Sequence, residues 1–226
     1  PYADLIRAAN VADDVMVDDR PRFAEFGKWL ALRTKLRGGG FTRVYDLQTS
    51  DRSSSYFRLF WPGPKPEWSG IAKGCSHPHK NPRRDFMHTL ERQAEQLSMA
   101  GIDDVPPPDL NPIVSDVTHL KLPDRFCLIV PGGAEHRPAK RWPRESYRDL
   151  IGMLDGSGVI AVVAGTASER PLAASLIEGS LTARNIAGET SLVDLVTVAK
   201  KAQVGAVLSQ WPVDPTAHVD GNAASG

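Results

Sequence analysis

Short continuous apolar runs alternate along this chain with stretches in which apolar residues recur every three or four positions. In the second half the alternation is regular. FCLIV (126–130) reads as a buried strand. Residues 144–155 read as a helix on Tyr147, Leu150, Ile151 and Leu154. VIAVVA (159–164) is a strand, and 168–178 a helix on Leu172, Ala173, Leu176 and Ile177. Residues 183–188 form a short strand, and 191–202 a helix on Leu192, Leu195, Val196 and Ala199. QVGAVLS (203–209) is a last strand. The first half follows the same grammar less cleanly. DDVMVDD (13–19) reads as a short strand. Residues 22–37 read as a helix with Phe23, Phe26 and Leu30 on one face and Trp29, Leu32 and Leu36 beside them, stopped by three glycines at 38–40. RVYDLQ (43–48) is a strand, 50–61 opens a helix, 62–68 is a turn-rich connection, and 85–100 is a helix on Met87, Leu90, Ala94 and Leu97. Between the halves, 101–116 carries four prolines and no periodicity, as a linker does.

Buried β-branched strands that alternate with amphipathic helices imply parallel sheets covered on both faces. The expectation is an α/β chain of two domains, 1–115 and 116–226.

Composition narrows the function. Lys plus Arg equals Asp plus Glu, 27 each, so no global basic field points to nucleic acid. The two cysteines, Cys75 and Cys127, are far apart and suit a reducing compartment. No apolar run approaches the roughly 20 residues that span a bilayer. The cytoplasm is the expected location. SHPHKNPRR (76–84) reads as a basic loop; no carboxylate or cysteine sits at ligand spacing there, so no metal is expected.

The chemistry concentrates in IVPGGAEHRPAKRWP (129–143). Gly132 and Gly133 follow a strand at the edge where open parallel sheets bind ligands. Their backbone N–H groups can approach a ligand closely. Lys140 precedes a helix that starts near Pro143, and a helix N-terminus adds unpaired donors. The pattern fits a diphosphate cradle, and equally a tight turn beside a solvated lysine. Local pattern makes Trp142 a packing residue. Thr166-x-x-Glu169 and Ser191-x-x-Asp194 are capping-box spacings. His88 reads as a helix-start residue.

Taken in order, VPGGAEHRPAKRWPRESYRDLIGML, VIAVVAGTASE and ARNIAGETSLVDLVTVAKKAQV resemble glycosyltransferase family 9, the heptosyltransferases of lipopolysaccharide core assembly. GFTRVYDLQTSDRSS is similar to the family's Asp-Leu-Gln stretch, and RRDFMHTLERQAEQLSMAGI to its histidine-containing helix. The resemblance covers about residues 1–205.

It implies the GT-B fold, two Rossmann-like domains, both incomplete here. It implies inverting, metal-independent transfer without a cofactor, from an ADP-heptose-type donor to a lipid-linked oligosaccharide acceptor, with peripheral contact at the cytoplasmic face of the inner membrane. Gly132, Gly133, Ala134, Lys140 and Trp142 match the donor-phosphate loop. Glu169 matches a residue that contacts the donor nucleoside, with the cap as its alternative. Asp46, Gln48, Asp51, Arg52 and Ser53 fall on the acceptor side. There Arg52 could hold an anion or simply pair with Asp51 beside an N-cap.

The resemblance breaks in two places. The family's first strand and glycine-rich loop, which carries an acidic residue read as general base, have no counterpart, so no base is assigned. After about 205 the family's Asn-Asp-Thr-Gly-Pro segment is replaced by AVLSQWPVDPTAHVDGNAASG. A reading-frame slip would produce such a loss, and the polar tail suits disorder. The leading expectation is a fragment of a glycosyltransferase with little turnover. The alternatives are a non-catalytic nucleotide-binding module and another two-domain sugar-nucleotide enzyme, such as an epimerase.

Overall fold

The computed structural model describes residues 2–132 and 142–206. The chain divides into two compact units. One is 16–108; the other joins residues 1–15 to those from Asp109 onward. The division falls inside the proline-rich stretch, seven residues before the expected boundary, and residues 1–15 belong with the second half.

The unit from Asp109 holds four parallel strands: β4 (Phe126–Ile129), β5 (Ile160–Val163), β6 (Arg184–Asn185) and β7 (Val204–Ala206). Their spatial order is β6-β5-β4-β7. All four residues of β4 are buried, because successive side chains enter opposite cores. Cys127 and Ile129 pack with Ala161 and Val163 of β5. With them lie Tyr147 and Ile151 of α5 (Arg144–Gly156) and Ala173 and Leu176 of α6 (Arg170–Ile177). Phe126 and Leu128 pack on the other face with Val162, Ile186 and Val198 of α7 (Leu192–Lys201). Each of the Val, Leu, Ile and Phe side chains among these contributes about 1.5–3 kcal/mol by leaving water. The continuous apolar runs in the sequence reflect this two-sided burial.

On α7 the buried residues are Thr197 and Val198, and Ala199 is exposed, so the inward face is turned from the expected one. Thr197 is occupied by the proline-rich stretch. Its hydroxyl accepts from the Ser115 backbone N–H at 3.0 Å, and Lys200 Nζ donates to the carbonyls of Asn111 and Ile113 at 3.0 and 2.8 Å. The second half of the expected linker is thus a strap along α7, whose polar side chains satisfy backbone groups that the prolines leave without a ladder. The helix α1 (Tyr2–Ala9) also lies against α7.

The unit 16–108 has a three-stranded parallel sheet, ordered β1 (Arg43–Tyr45), β2 (Glu67–Gly70), β3 (His77–Pro78). Its aromatic core joins Phe57 and Phe60 to Trp68, with ring centroids 5.4 and 6.3 Å apart. Arg43 and Glu67 face each other in register and pair at 2.5 Å.

Five expectations change here. Residues 13–19 form no strand. Their carboxylates take backbone donors instead, Asp14 from Val15 and Asp18 from Arg20. The helix α2 runs Phe26–Gly38 and buries Leu32, while Phe23, Phe26 and Leu30 remain 90%, 75% and 61% exposed. β2 begins inside the expected turn, and β3 inside the expected basic loop. The helix α4 (Thr89–Ser98) buries Gln96, and leaves Leu90 and Ala94 exposed.

Candidate donor edge and acceptor-side turn

Strand order makes the ligand edge specific. From β4 the chain builds outward through β5 to β6, then returns to place β7 on the opposite side of β4. The order reverses between β4 and β7, and open α/β sheets bind ligands at such a switch point, beyond the carboxyl ends of the strands. Residues 130–132 leave β4 at that place. Gly133, Ala134 and Lys140 lie outside the described residues. Gly132, Trp142 and Glu169 are described.

Glu169 sits where the loops after β4 and β5 meet. Its Oε2 accepts from the backbone N–H of Thr166 at 2.7 Å and from the Thr166 hydroxyl at 2.8 Å, closing the capping box that the sequence spacing allows. The same carboxylate rests on two glycines. A Cβ on Gly132 would lie 2.9 Å from Glu169 Cδ and closer still to Oε1, and one on Gly165 would lie 3.0 Å from Oε2. The carboxylate thus sits against the backbone that follows each strand, closest at Gly132, where a Cβ would force it to move. Gly188, after β6, completes the edge. Its φ is +79°, and a Cβ there would meet Ala167 Cα at 2.8 Å.

Trp142 packs. Its ring meets Tyr147 edge-on, centroids 5.2 Å apart at 85°, against the α5–α6 side of the core. This agrees with the reading from local pattern.

The residues expected on the acceptor side form a tight strand-to-helix turn. Asp46 is buried. Its carboxylate accepts from Thr49 N–H at 3.0 Å and from the Ser54 hydroxyl at 3.2 Å, across a turn in which Thr49 adopts φ +47°. The aspartate thereby stabilises a left-handed residue that would otherwise be costly. Ser50, not Asp51, caps α3 (Asp51–Ser55), in a reciprocal box with Ser53. Arg52 donates to the Pro21 carbonyl at 3.0 Å and lies 5.9 Å from the Trp29 ring centroid. Its guanidinium is engaged within the unit rather than with Asp51. Gln48 and Asp51 are exposed. Asp46 and Ser53 line a cavity of about 420 Å³, walled chiefly by apolar side chains such as Leu32, Leu36 and Trp68, with Arg43 as the cation in its wall. Asp51 lines a separate cavity of about 380 Å³. The five residues therefore share a turn but not one pocket.

Sequence reasoning missed two buried polar side chains beside this turn. Gln96 Nε2 donates to the Asp46 carbonyl at 3.0 Å and to Ser69 Oγ at 3.3 Å, tying α4 to β1 and β2. His79 is buried with Nε2 3.6 Å from Glu95 Oε1. A glutamine in a polar helix and a histidine in a Pro-rich loop carry no periodic signal of burial. His88 caps α4, its Nδ1 accepting from Leu90 N–H at 3.4 Å, as expected.

Among solved structures, a family 9 glycosyltransferase from Veillonella parvula DSM 2008 superposes with a TM-score of 0.67 at 14% identity, covering 89% of this chain and 63% of that one. The E. coli ADP-heptose lipopolysaccharide heptosyltransferase II gives 0.60 at 24% identity, covering 77% and 59%. The E. coli heptosyltransferase WaaC with ADP-2-deoxy-2-fluoro heptose gives 0.59 at 19%, covering 89% and 63%. The chain thus spans about three fifths of the length of these structures, and the likeness carries the GT-B fold class of two Rossmann-like units. A search of curated proteins finds no match. Among the described residues no helix is long and apolar enough to cross a membrane. The family model for glycosyltransferase family 9 (heptosyltransferase) matches residues 29–208, and the chain belongs to that family.

Proposed function

We propose that the unit from Asp109 onward binds the nucleotide-sugar donor of a heptosyltransferase, with ADP-heptose as donor and a lipopolysaccharide core saccharide as acceptor. The observation that carries this reading is the switch point between β4 and β7, with Gly132, Gly165 and Gly188 lining the carboxyl edge beside Glu169. Family membership and the ADP-sugar named for one structural neighbour support the donor class.

In the proposed reaction an acceptor hydroxyl oxygen attacks the anomeric carbon as the bond from that carbon to the diphosphate oxygen breaks. The hydroxyl proton leaves to a base, and the electron pair of the breaking bond stays on the diphosphate. Inversion follows from attack opposite the leaving group. Donors at the diphosphate stabilise the charge that grows there; in this reading they are Lys140 and the backbone N–H groups of Gly133 and Ala134. Glu169 would orient the nucleoside through the oxygen not spent on its cap. On the other unit, the turn Asp46–Ser53 would present the acceptor. No metal takes part in this scheme.

Thermal-shift titration tests the donor class. ADP-heptose is expected to raise Tm, with UDP-glucose and GDP-mannose inert at the same concentration. An equal response to all three, or to none, contradicts the assignment.

A further inference from the structure

The sheet of the unit 16–108 has an open edge. β1 stands at one end of it and pairs, among the described residues, only with β2. The Thr42 carbonyl accepts from Glu67 N–H at 2.9 Å, and Asp46 N–H donates to the Ser69 carbonyl at 2.8 Å. Alternate residues, Thr42, Val44 and Asp46, therefore turn their backbone groups to β2. The N–H and C=O groups of Arg43 and Tyr45 point the other way, and no hydrogen bond among the described residues engages them. Burial agrees with this. All of β4 is buried, whereas Arg43 is exposed and Val44 and Tyr45 are half-buried.

The cavity of about 420 Å³ lies along that edge. Arg43, Val44, Tyr45 and Asp46 all line it, although successive side chains of a strand point to opposite faces. A cavity that consecutive residues share runs beside the backbone itself. Leu36, Phe41 and Phe60 give it apolar walls. Its charges are matched inside the unit. Asp18 accepts from the Tyr56 hydroxyl at 2.5 Å, and Asp46 from Thr49 and Ser54 at 3.0 and 3.2 Å. Arg43, the cation that could blunt the edge, reaches across to Glu67 on β2.

A row of open backbone donors and acceptors is a template for another strand. With no charge left over in the groove, the complementary occupant is uncharged. The edge lies within a groove, which suits a single extended chain rather than the sheet of a second folded copy. We propose that the β1 edge docks an extended, uncharged segment of another polypeptide, rich in β-branched residues, as an added strand beside Arg43–Tyr45. Backbone bonds to Arg43 and Tyr45 supply the pairing, and the apolar walls select the side chains. The added strand ends where the turn at Asp46 begins, so the docking does not depend on the sugar-transfer reading.

Nuclear magnetic resonance of the full chain tests this with a capped peptide of about seven residues, alternating Val and Ile between terminal lysines. Saturable binding is expected. Hydrogen exchange at the Arg43 and Tyr45 amides should slow at least about tenfold as new backbone bonds form. The Val44 amide, already turned to β2, and the amides of β5 should not change. The same peptide with proline at its centre keeps its apolar surface but loses a donor, and should bind about tenfold more weakly. The original peptide should bind Phe41→Asp, altered at an exposed wall residue, about tenfold more weakly too, with circular dichroism unchanged. No saturable binding, binding that leaves exchange at Arg43 and Tyr45 unaltered, or equal affinity for the proline peptide overturns the proposal. So does protection of these two amides that rises with protein concentration in the absence of peptide, which would assign the edge to a second copy.

Discussion

The carboxylate of Glu169 rests on Gly132, so closely that a Cβ at position 132 would lie 2.9 Å from Glu169 Cδ. One glutamate thereby touches two loops, capping its own helix turn after β5 and packing on the backbone just after β4. Gly132→Ala should push Glu169 off its cap and cost about 1 kcal/mol, the usual value of a lost N-terminal capping contact. Glu169→Ala should cost a similar amount. Because both substitutions remove one arrangement, the double variant should cost little more than either alone. Urea denaturation of the three variants measures this, and simple additivity would contradict the shared contact.

Gly188→Ala should be worse than Gly132→Ala. The atom in the way at Gly188 is the Ala167 backbone rather than a side-chain tip, and φ is +79°. The expected loss is about 2 kcal/mol or more, again read by urea denaturation. A loss smaller than that of Gly132→Ala would refute the ordering.

Gln96→Leu should destabilise the unit 16–108 by about 1–3 kcal/mol, because the Asp46 carbonyl and Ser69 hydroxyl lose a buried donor. Hydrogen exchange at the β1 and β2 amides should rise in this variant, while that at β4 and β5 should not.

Asp194 supplies a pH test. Burial pushes its carboxyl up, but hydrogen bonds from the Ser191 N–H, the Ser191 hydroxyl and Ser115 outweigh this and leave it below the ordinary carboxylate value. A depressed pKa means that its contribution is present above the ordinary carboxylate range. That contribution is lost as pH falls through the lowered value. Asp194→Asn should therefore cost about 1 kcal/mol near neutrality and almost nothing in strong acid. Denaturation at both pH values gives the comparison.

The unit from Asp109 onward was legible because its strands are buried on both faces. Phe126 and Cys127 enter different cores, yet both must be apolar, so the run is continuous and its strand character plain. The unit 16–108 was harder for the opposite reason. Its α2 exposes Phe23, Phe26 and Leu30 and its α4 buries Gln96, so apolar periodicity marked the wrong faces. Of the site residues, spacing revealed the Glu169 cap, but not the packing of its carboxylate on Gly132 and Gly165, which only the folded chain brings together. The Asp46 turn could not be read locally, since its partners Thr49 and Ser54 depend on a left-handed backbone that no motif announces.

Calorimetric titration of ADP into wild type and Lys140→Ala tests the central claim most directly. A diphosphate cradle at the β4 edge predicts saturable binding by wild type and an affinity at least about tenfold weaker in the variant, as loss of a charged phosphate partner implies. Absence of ADP binding by wild type, or equal affinity in both proteins, would contradict it.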